Sequence, residues 1–188
     1  RIADCLMERH TMTVRPGVVN EQRFMMMASV GLDAHVVKDL PRALKQRLGK
    51  LAYLVQAVRT LRRFACPPMD IHIDGVPMRA ATVIVNRGRL YGGRFVLAPD
   101  ADLANARFFA SVFPEVGRLA VFARLVAIPL GLLHKLGLLQ QVSGSRIEII
   151  GKKGDPVQAD GDIVGQLPAV ITLDTQVIQL CVWRETLS

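Results

Sequence analysis

The segment Pro156-Val-Gln-Ala-Asp-Gly-Asp162 sets two carboxylates, Asp160 and Asp162, on either side of one glycine, just after the strand-like Arg146–Ile150. An acid held by the backbone at a strand end, yet left exposed, can reach a substrate hydroxyl and take its proton as a general base. The same residues also spell a hairpin, because Asp-Gly suits a two-residue turn. Asp74-Gly75, between Met69–Ile73 and Ala81–Val85, is an internal comparison, and there the sequence reads only as a turn. On composition alone the turn reading leads at Asp160 as well.

The elements that must position these acids come from a chain of 188 residues, enough for one domain with a full core. Hydrophobic residues make up 51% and charged ones 21%, which indicates a globular protein, and no low-complexity run or solenoid period appears. The chain opens on Arg1 rather than Met, which predicts a native N-terminus further upstream, and no signal-peptide pattern is present. Cys5, Cys66 and Cys181 are odd in number, far apart and without metal-ligand spacing. They read as buried, reduced thiols, and a reducing cytoplasm fits them. The four histidines are equally scattered, so neither a histidine metal site nor a Ser-His-Asp triad has support.

Net charge is +8, and seven basic residues with no acid fall between Pro41 and Pro67: Arg42, Lys45, Arg47, Lys50, Arg59, Arg62 and Arg63. Such a run suits an anionic membrane surface, an acidic lipid or a nucleic acid, or is simply a solvated helix face. Aromatic residues are only 5%, leaving few platforms for stacking bases. Nucleic acid is therefore not expected as a partner.

Along the chain, Ile2–Glu8 reads as a helical remnant. Thr11–Val14 and Arg23–Ser29 read as strands joined through Asn20-Glu21. Pro41 to Phe64 is helical in period, with Leu44, Leu48, Leu51, Val55, Val58 and Leu61 on one stripe. A hairpin of Met69–Ile73 with Ala80–Val85 follows, then a Gly-rich loop at Tyr91-Gly92-Gly93 and strands at Arg94–Ala98 and Phe108–Phe113. Gly117–Leu139 is too broken by Arg124, Pro129, His134 and Lys135 to span a bilayer, which takes about 20 apolar residues. It reads as one or two amphipathic helices, buried or touching lipid. Strands return at Arg146–Ile150, Val157–Ala159, Ala169–Leu173 and Val177–Trp183. The expected fold is mainly β: a two-layer antiparallel sandwich with helical insertions. No P-loop or GxGxxG fingerprint is present.

In order, Ser29-Val-Gly-Leu-Asp-Ala34, Leu48-Gly-Lys-Leu-Ala-Tyr53, Val85-Asn86, Tyr91-Gly92-Gly93, Leu97-Ala-Pro-Asp-Ala-Asp102 and Gln158-Ala-Asp-Gly-Asp162 resemble the C-terminal domain of the diacylglycerol kinase and sphingosine kinase superfamily, in its bacterial lipid-kinase branch. The resemblance runs from about Ala3 to the end, which implies that residues 1–188 are a single C-terminal lipid kinase domain. It implies a β-sandwich whose partner domain, upstream and absent from this chain, binds ATP through a Gly-Gly-Asp-Gly loop. The chain alone is then expected to be inactive. The implied acceptor is diacylglycerol or a similar lipid alcohol, and Mg²⁺ and ATP are the implied cofactors. The implied location is cytoplasmic and peripheral to an anionic membrane.

The resemblance makes Asp162 the base that deprotonates the lipid hydroxyl, with Asp160 orienting it or helping to hold metal. The sequence does not choose which acid takes the proton. The family usually has Glu where this chain has Asp162. Asn86, Gly92 and Gly93, with Tyr91, are implied to line the cleft. A structural Mg²⁺ site would fall on Asp102, Asn105 and Arg107. Here Asn105-Ala106 stands where the family typically has Asp-Gly, and a neutral amide is the poorer Mg²⁺ ligand. A non-catalytic module that binds lipid or membrane surfaces, descended from such kinases, is the alternative. An exposed sheet edge could pair in a homodimer, though no residue identifies one.

Overall fold

A computed structural model describes residues 10–41, 51–63, 67–114 and 117–182. β1 (Thr11–Val14) is followed by the hairpin of β2 (Gly17–Val19) and β3 (Gln22–Phe24), turned by Asn20 and Glu21 at φ 46° and 67°. β4 (Met27–Gly31) runs directly into α1 (Leu32–Asp39), and α2 (Leu51–Arg63) follows. Next come β5 (Met69–Ile73), β6 (Val76–Ala80), β7 (Thr82–Asn86), the short β8 (Leu90–Tyr91) and β9 (Phe95–Val96), and β10 (Phe108–Phe113). After α3 (Arg118–Ala127) the chain is strand again: β11 (Gln140–Gly144), β12 (Arg146–Ile150), β13 (Pro156–Ala159), β14 (Asp162–Gln166), β15 (Ala169–Leu173) and β16 (Ile178–Cys181).

Two six-stranded antiparallel sheets face one another, ordered β11-β10-β7-β4-β13-β14 and β3-β2-β15-β12-β5-β6. Alternation decides what lies between them. Val30, Val83, Val85 and Val112 point inward from the first sheet, against Ile71, Ile147, Ile149 and Ile171 of the second. Each such buried side chain contributes about 1.5–3 kcal/mol. Phe24 and Phe108 stack across the gap with ring centroids 6.0 Å apart.

The outer face of the first sheet is covered by the helices, through Leu32, Val36, Ala57, Leu61, Ala81 and Val121. The switch from β4 into α1 needs Gly31, whose φ is 84° and whose missing Cβ would lie 2.3 Å from the Ala81 carbonyl oxygen.

The mainly β antiparallel sandwich with helical insertions is the fold the sequence predicts. Several elements differ in detail. Arg23–Ser29 is two strands in different sheets, β3 and β4, and Asn20-Glu21 turns β2 into β3. Ala80–Val85 likewise divides, because the chain crosses between sheets at Ala81. Only Phe95–Val96 of the Arg94–Ala98 run pairs. The polar strands β11 and β14 carry little apolar alternation and are missed by it.

The Pro41–Phe64 helix is seen as Leu51–Arg63. Its buried face is Ala52, Gln56, Ala57, Thr60 and Leu61, with Gln56 Nε2 donating to Thr60 Oγ1 at 3.2 Å. Leu44, Leu48 and the basic Arg42, Lys45, Arg47 and Lys50 lie outside the described residues, as do Ile2–Glu8, Cys5 and Cys66. Cys181 is exposed rather than buried, because among the described residues β16 pairs only with β1, in a two-stranded ribbon. Among the described residues no helix is long and apolar enough to cross a membrane.

Candidate functional site

Register brings the sequence motifs to one end of the first sheet. Asn86, the last residue of β7, pairs with Met27 at the start of β4 and with Phe109 near the start of β10. Ala28 in turn pairs with Ala159, the last residue of β13 before Asp160-Gly161. The Asp102–Arg107 turn enters β10 at the same end. Residues more than 130 positions apart in sequence meet here because neighbouring strands begin and end together.

Asp160 and Gly161 form a two-residue turn at φ 48° and 96°, closed by the Ala159–Asp162 pair. Left-handed backbone at both positions is what such a hairpin requires. The Asp160 carboxylate is turned back on the chain before β4. It accepts the backbone N–H groups of Met25, Met26 and Met27 at 2.6, 2.9 and 3.0 Å, while its own N–H donates to the Met27 carbonyl at 2.9 Å. Asp162, the first residue of β14, is exposed, and no hydrogen bond holds its carboxylate among the described contacts. The two acids are thus chemically unequal: one is committed to the backbone and the other faces solvent.

Behind the turn lies a buried polar chain. Gln158 is fully enclosed, and its Oε1 accepts the Gly161 N–H at 2.9 Å. Its Nε2 donates to Ser29 Oγ at 2.9 Å and to Asp33 at 3.1 Å. The Ser29 hydroxyl and the Tyr91 phenol also donate to the Asp33 carboxylate. Burial pushes Asp33 above its ordinary carboxylate range, and the hydrogen bonds from Ser29, Tyr91 and Gln158 pull it partly back. Burial, then the neighbouring Asp33, pushes the Tyr91 phenol well above its usual value. Asp33 thus ties a helix start, two strands and the β8–β9 turn together. In sequence it belongs to the Ser29–Ala34 motif, with a turn cap as its plainer reading.

Asp33 and Tyr91 also line a cavity of about 360 Å³ between the sheet and the helices. Its walls are mainly apolar, with Leu32, Val36, Ile84, Phe113, Leu125 and Ile128 among them. Arg94 and Arg124 are the cationic residues on its lining.

The remaining predicted residues do not line that cavity. Asn86 is fully buried, and its Nδ2 donates to the Ile84 and Phe109 carbonyls at 3.0 Å and to Ser111 Oγ at 3.1 Å. Gly92 and Gly93 have φ of 58° and 78° in the exposed β8–β9 turn and do not line the cavity. In the Asp102–Arg107 turn, Asp102 Oδ1 accepts the Ala104 N–H at 2.9 Å.

The backbone oxygens of that turn already have a cation. The buried guanidinium of Arg87 donates to the carbonyls of Asn105, Arg107 and Leu103 at 2.5, 2.6 and 2.7 Å. A divalent ion on the Asn105 and Arg107 carbonyls would have to displace it, so the residues present do not fit a metal. Among the described residues no cluster of His, Cys, Asp and Glu forms a metal site either. Nothing in sequence pattern marks Arg87 or Arg124, because a buried arginine is recognised only by what surrounds it.

The molecule is therefore a two-sheet β-sandwich domain that gathers its distinctive polar residues at one sheet end, beside an apolar cavity. Residues 26–182 match the YegS C-terminal NAD kinase beta sandwich-like domain, and the chain belongs to that family, the C-terminal domain of the diacylglycerol kinase-like lipid kinases. It is 25% identical over 171 residues to a diacylglycerol kinase of Bacillus subtilis (strain 168), covering 89% of this chain and 56% of that protein. It is 23% identical over 172 residues to a diacylglycerol kinase of Staphylococcus carnosus (strain TM300), covering 90% and 56%. The chain thus spans about half the length of these curated relatives.

A crystal structure from Bacillus anthracis str. Sterne superimposes with a TM-score of 0.70 at 22% identity, over 91% of this chain and 56% of that one. Another from the same strain, described as a diacylglycerol kinase, gives 0.63 at 21% identity over 91% and 57%. At these identities the structural likeness shows the fold alone.

Proposed function

We propose that this chain is the substrate-binding and base-supplying domain of an ATP-dependent lipid kinase acting on diacylglycerol or a similar lipid alcohol. The observation that carries this reading is the link from the apolar cavity, through Asp33 and Gln158, to the turn that presents Asp162. The lipid chain occupies the cavity and its hydroxyl meets the exposed carboxylate. Asp162 takes the hydroxyl proton as that oxygen attacks the γ-phosphorus of ATP, and the bond from this phosphorus to the bridging oxygen of ADP breaks. Asp160 holds the turn in place and leaves Asp162 free to act. ATP enters as its Mg²⁺ complex, bound chiefly by a segment with a Gly-Gly-Asp-Gly loop outside this chain, with Gly92 and Gly93 on the near wall of the cleft.

A lipid acceptor requires contact with a membrane. Supporting this, Leu119, Phe122, Val126 and Leu130 are exposed along α3 and the turn that follows it, with Leu119 83% and Leu130 62% accessible. Arg59, Arg62 and Arg63 supply positive charge on α2. The protein then works in the cytoplasm, at the inner surface of a membrane.

The test is phosphate transfer from ATP by the full-length protein to a panel of lipid alcohols in vesicles. Transfer to one of them that is lost in Asp162→Asn supports the reading, and no transfer to any defeats it. A second reading, a lipid-surface module without catalysis, is favoured by the Arg87-filled turn. It predicts vesicle binding with no ATP consumption in the same assay.

A further inference from the structure

Arg124 is 8% exposed, yet little compensates its charge. Its Nη1 donates to the Pro114 carbonyl at 2.8 Å, its guanidinium carbon lies 5.8 Å from the centre of the Phe113 ring, and its buried Nε has no partner among the described residues. No carboxylate among the described residues pairs with it. Burial alone depresses its affinity for the proton. Arg87 is the partial contrast within the same fold: also buried and with an unpartnered Nε of its own among the described residues, it has three carbonyl acceptors and the charge of Asp102 nearby. Holding a buried cation without an anion is costly, because its lost hydration is not replaced. Arg124 sits on the wall of the apolar cavity, as does the exposed Arg94. The cavity's own acid, Asp33, is already engaged by Ser29, Tyr91 and Gln158.

We propose that the cavity selects an amphiphile with an anionic head, a phosphate monoester or a carboxylate, whose charge is met by Arg124 with Arg94 at the exposed margin. The alkyl chain lies among Leu32, Val36, Ile84, Phe113 and Leu125. This deepens the lipid reading, on which it rests only for a chain in the cavity, and favours among lipid alcohols those that carry an anionic group over a neutral diacylglycerol. Guanidinium matches both heads, because its planar fork donates two parallel hydrogen bonds to a pair of oxygens. A neutral glyceride leaves Arg124 without an anion.

The test is calorimetric titration of the full-length protein without ATP, below micellar concentrations. The probes are dodecyl phosphate, dodecanoate, monolauroylglycerol and chainless glycerol 3-phosphate. Dodecyl phosphate and dodecanoate are expected to bind about tenfold more tightly than monolauroylglycerol, a difference of about 1.4 kcal/mol. Glycerol 3-phosphate is expected not to bind, which separates a lipid head from a free phosphate. Arg124→Gln should erase the preference while monolauroylglycerol still binds.

Equal affinity for charged and neutral amphiphiles overturns the proposal, as does a preference that survives in the Arg124→Gln, Arg94→Gln double variant. If Arg124→Gln does not fold, the wild-type comparison decides by itself. Failure of phosphate transfer to any lipid defeats the kinase reading without touching this one. Failure of every amphiphile to bind defeats the lipid cavity and this proposal with it.

Discussion

Asp74 and Asp160 play the same part in opposite sheets. Each stands at φ 48° before a glycine, and each turns its carboxylate onto backbone N–H groups of a neighbouring segment. Asp74 accepts from Ser145 N at 3.0 Å and from Arg146 N at 2.9 Å, much as Asp160 accepts from Met25, Met26 and Met27. The Asp-Gly pair near the proposed site is therefore a structural clamp by its first acid. Only the added acid, Asp162, distinguishes that turn from its counterpart.

Asp160→Asn and Asp162→Asn should separate fold from chemistry. Asp160→Asn loses charge-assisted bonds to backbone N–H groups and should destabilise the protein by about 1–3 kcal/mol. Asp162→Asn, at an exposed position, should change stability by less than about 0.5 kcal/mol. In the full-length protein it should lower lipid phosphorylation by about 100-fold or more. Near-normal turnover with Asp162→Asn would remove it as the base.

Two acids, the exposed Asp74 and the half-buried Asp33, should slope in opposite directions with pH. Hydrogen bonds from the Arg146 and Ser145 backbone hold Asp74 below its ordinary value of 3.8, so its stabilisation is present above that value and lost as pH falls through the depressed one. Asp33 is raised above 3.8 by burial, so its contribution is fully present below 3.8 and declines as pH rises through the raised value. In urea unfolding, the deficit of Asp74→Asn should shrink on acidification below about pH 4. The difference between wild type and Asp33→Asn should instead move against wild type as pH climbs above that point. Parallel slopes for the two variants would contradict the assignment.

Arg87 should make the Asp102–Arg107 turn indifferent to divalent cations. Addition of EDTA or millimolar Mg²⁺ is expected to leave the melting temperature of the wild-type chain unchanged. Arg87→Met strips three carbonyls of their shared donor and should cost about 1–3 kcal/mol. A clear rise in melting temperature with Mg²⁺ alone would show that a metal competes successfully for those oxygens.

Gly31→Ala should be among the most damaging single-methyl additions to the fold. The backbone there is left-handed, and the new Cβ would overlap the Ala81 carbonyl and the Thr82 side chain, at 2.3 and 2.8 Å. Strain and overpacking together predict a loss of about 3 kcal/mol or more, read by denaturant unfolding. Gly75→Ala, with nothing within 4 Å of its Cβ, should lose less despite a similar φ of 84°.

Arg146–Ile150 and Ala169–Leu173, with their alternation, and the apolar run Phe108–Phe113 were legible residue for residue, because strand period and a short apolar run are local information. So was the Asp-Gly chemistry of both hairpins, which depends on the backbone preferences of adjacent residues. The crossing at Ala81 was not: Ala80–Val85 is one apolar run whose halves join different sheets, and nothing local records that change of partner. The division of labour between Asp160 and Asp162 was also hidden, since it depends on where Met25–Met27 lie in space.

The same holds for the polar chain behind the turn. Ser29 and Gln158 face each other because β4 and β13 pair in one register, and Asp33 reaches them because Gly31 bends the strand into a helix at that point. Sequence by itself determined the sandwich class, the turn chemistry and the candidate acids. Tertiary structure alone decided which acid is free, which arginine has the fuller set of acceptors and where an apolar cavity remains, because each depends on distances between residues that the chain order keeps far apart.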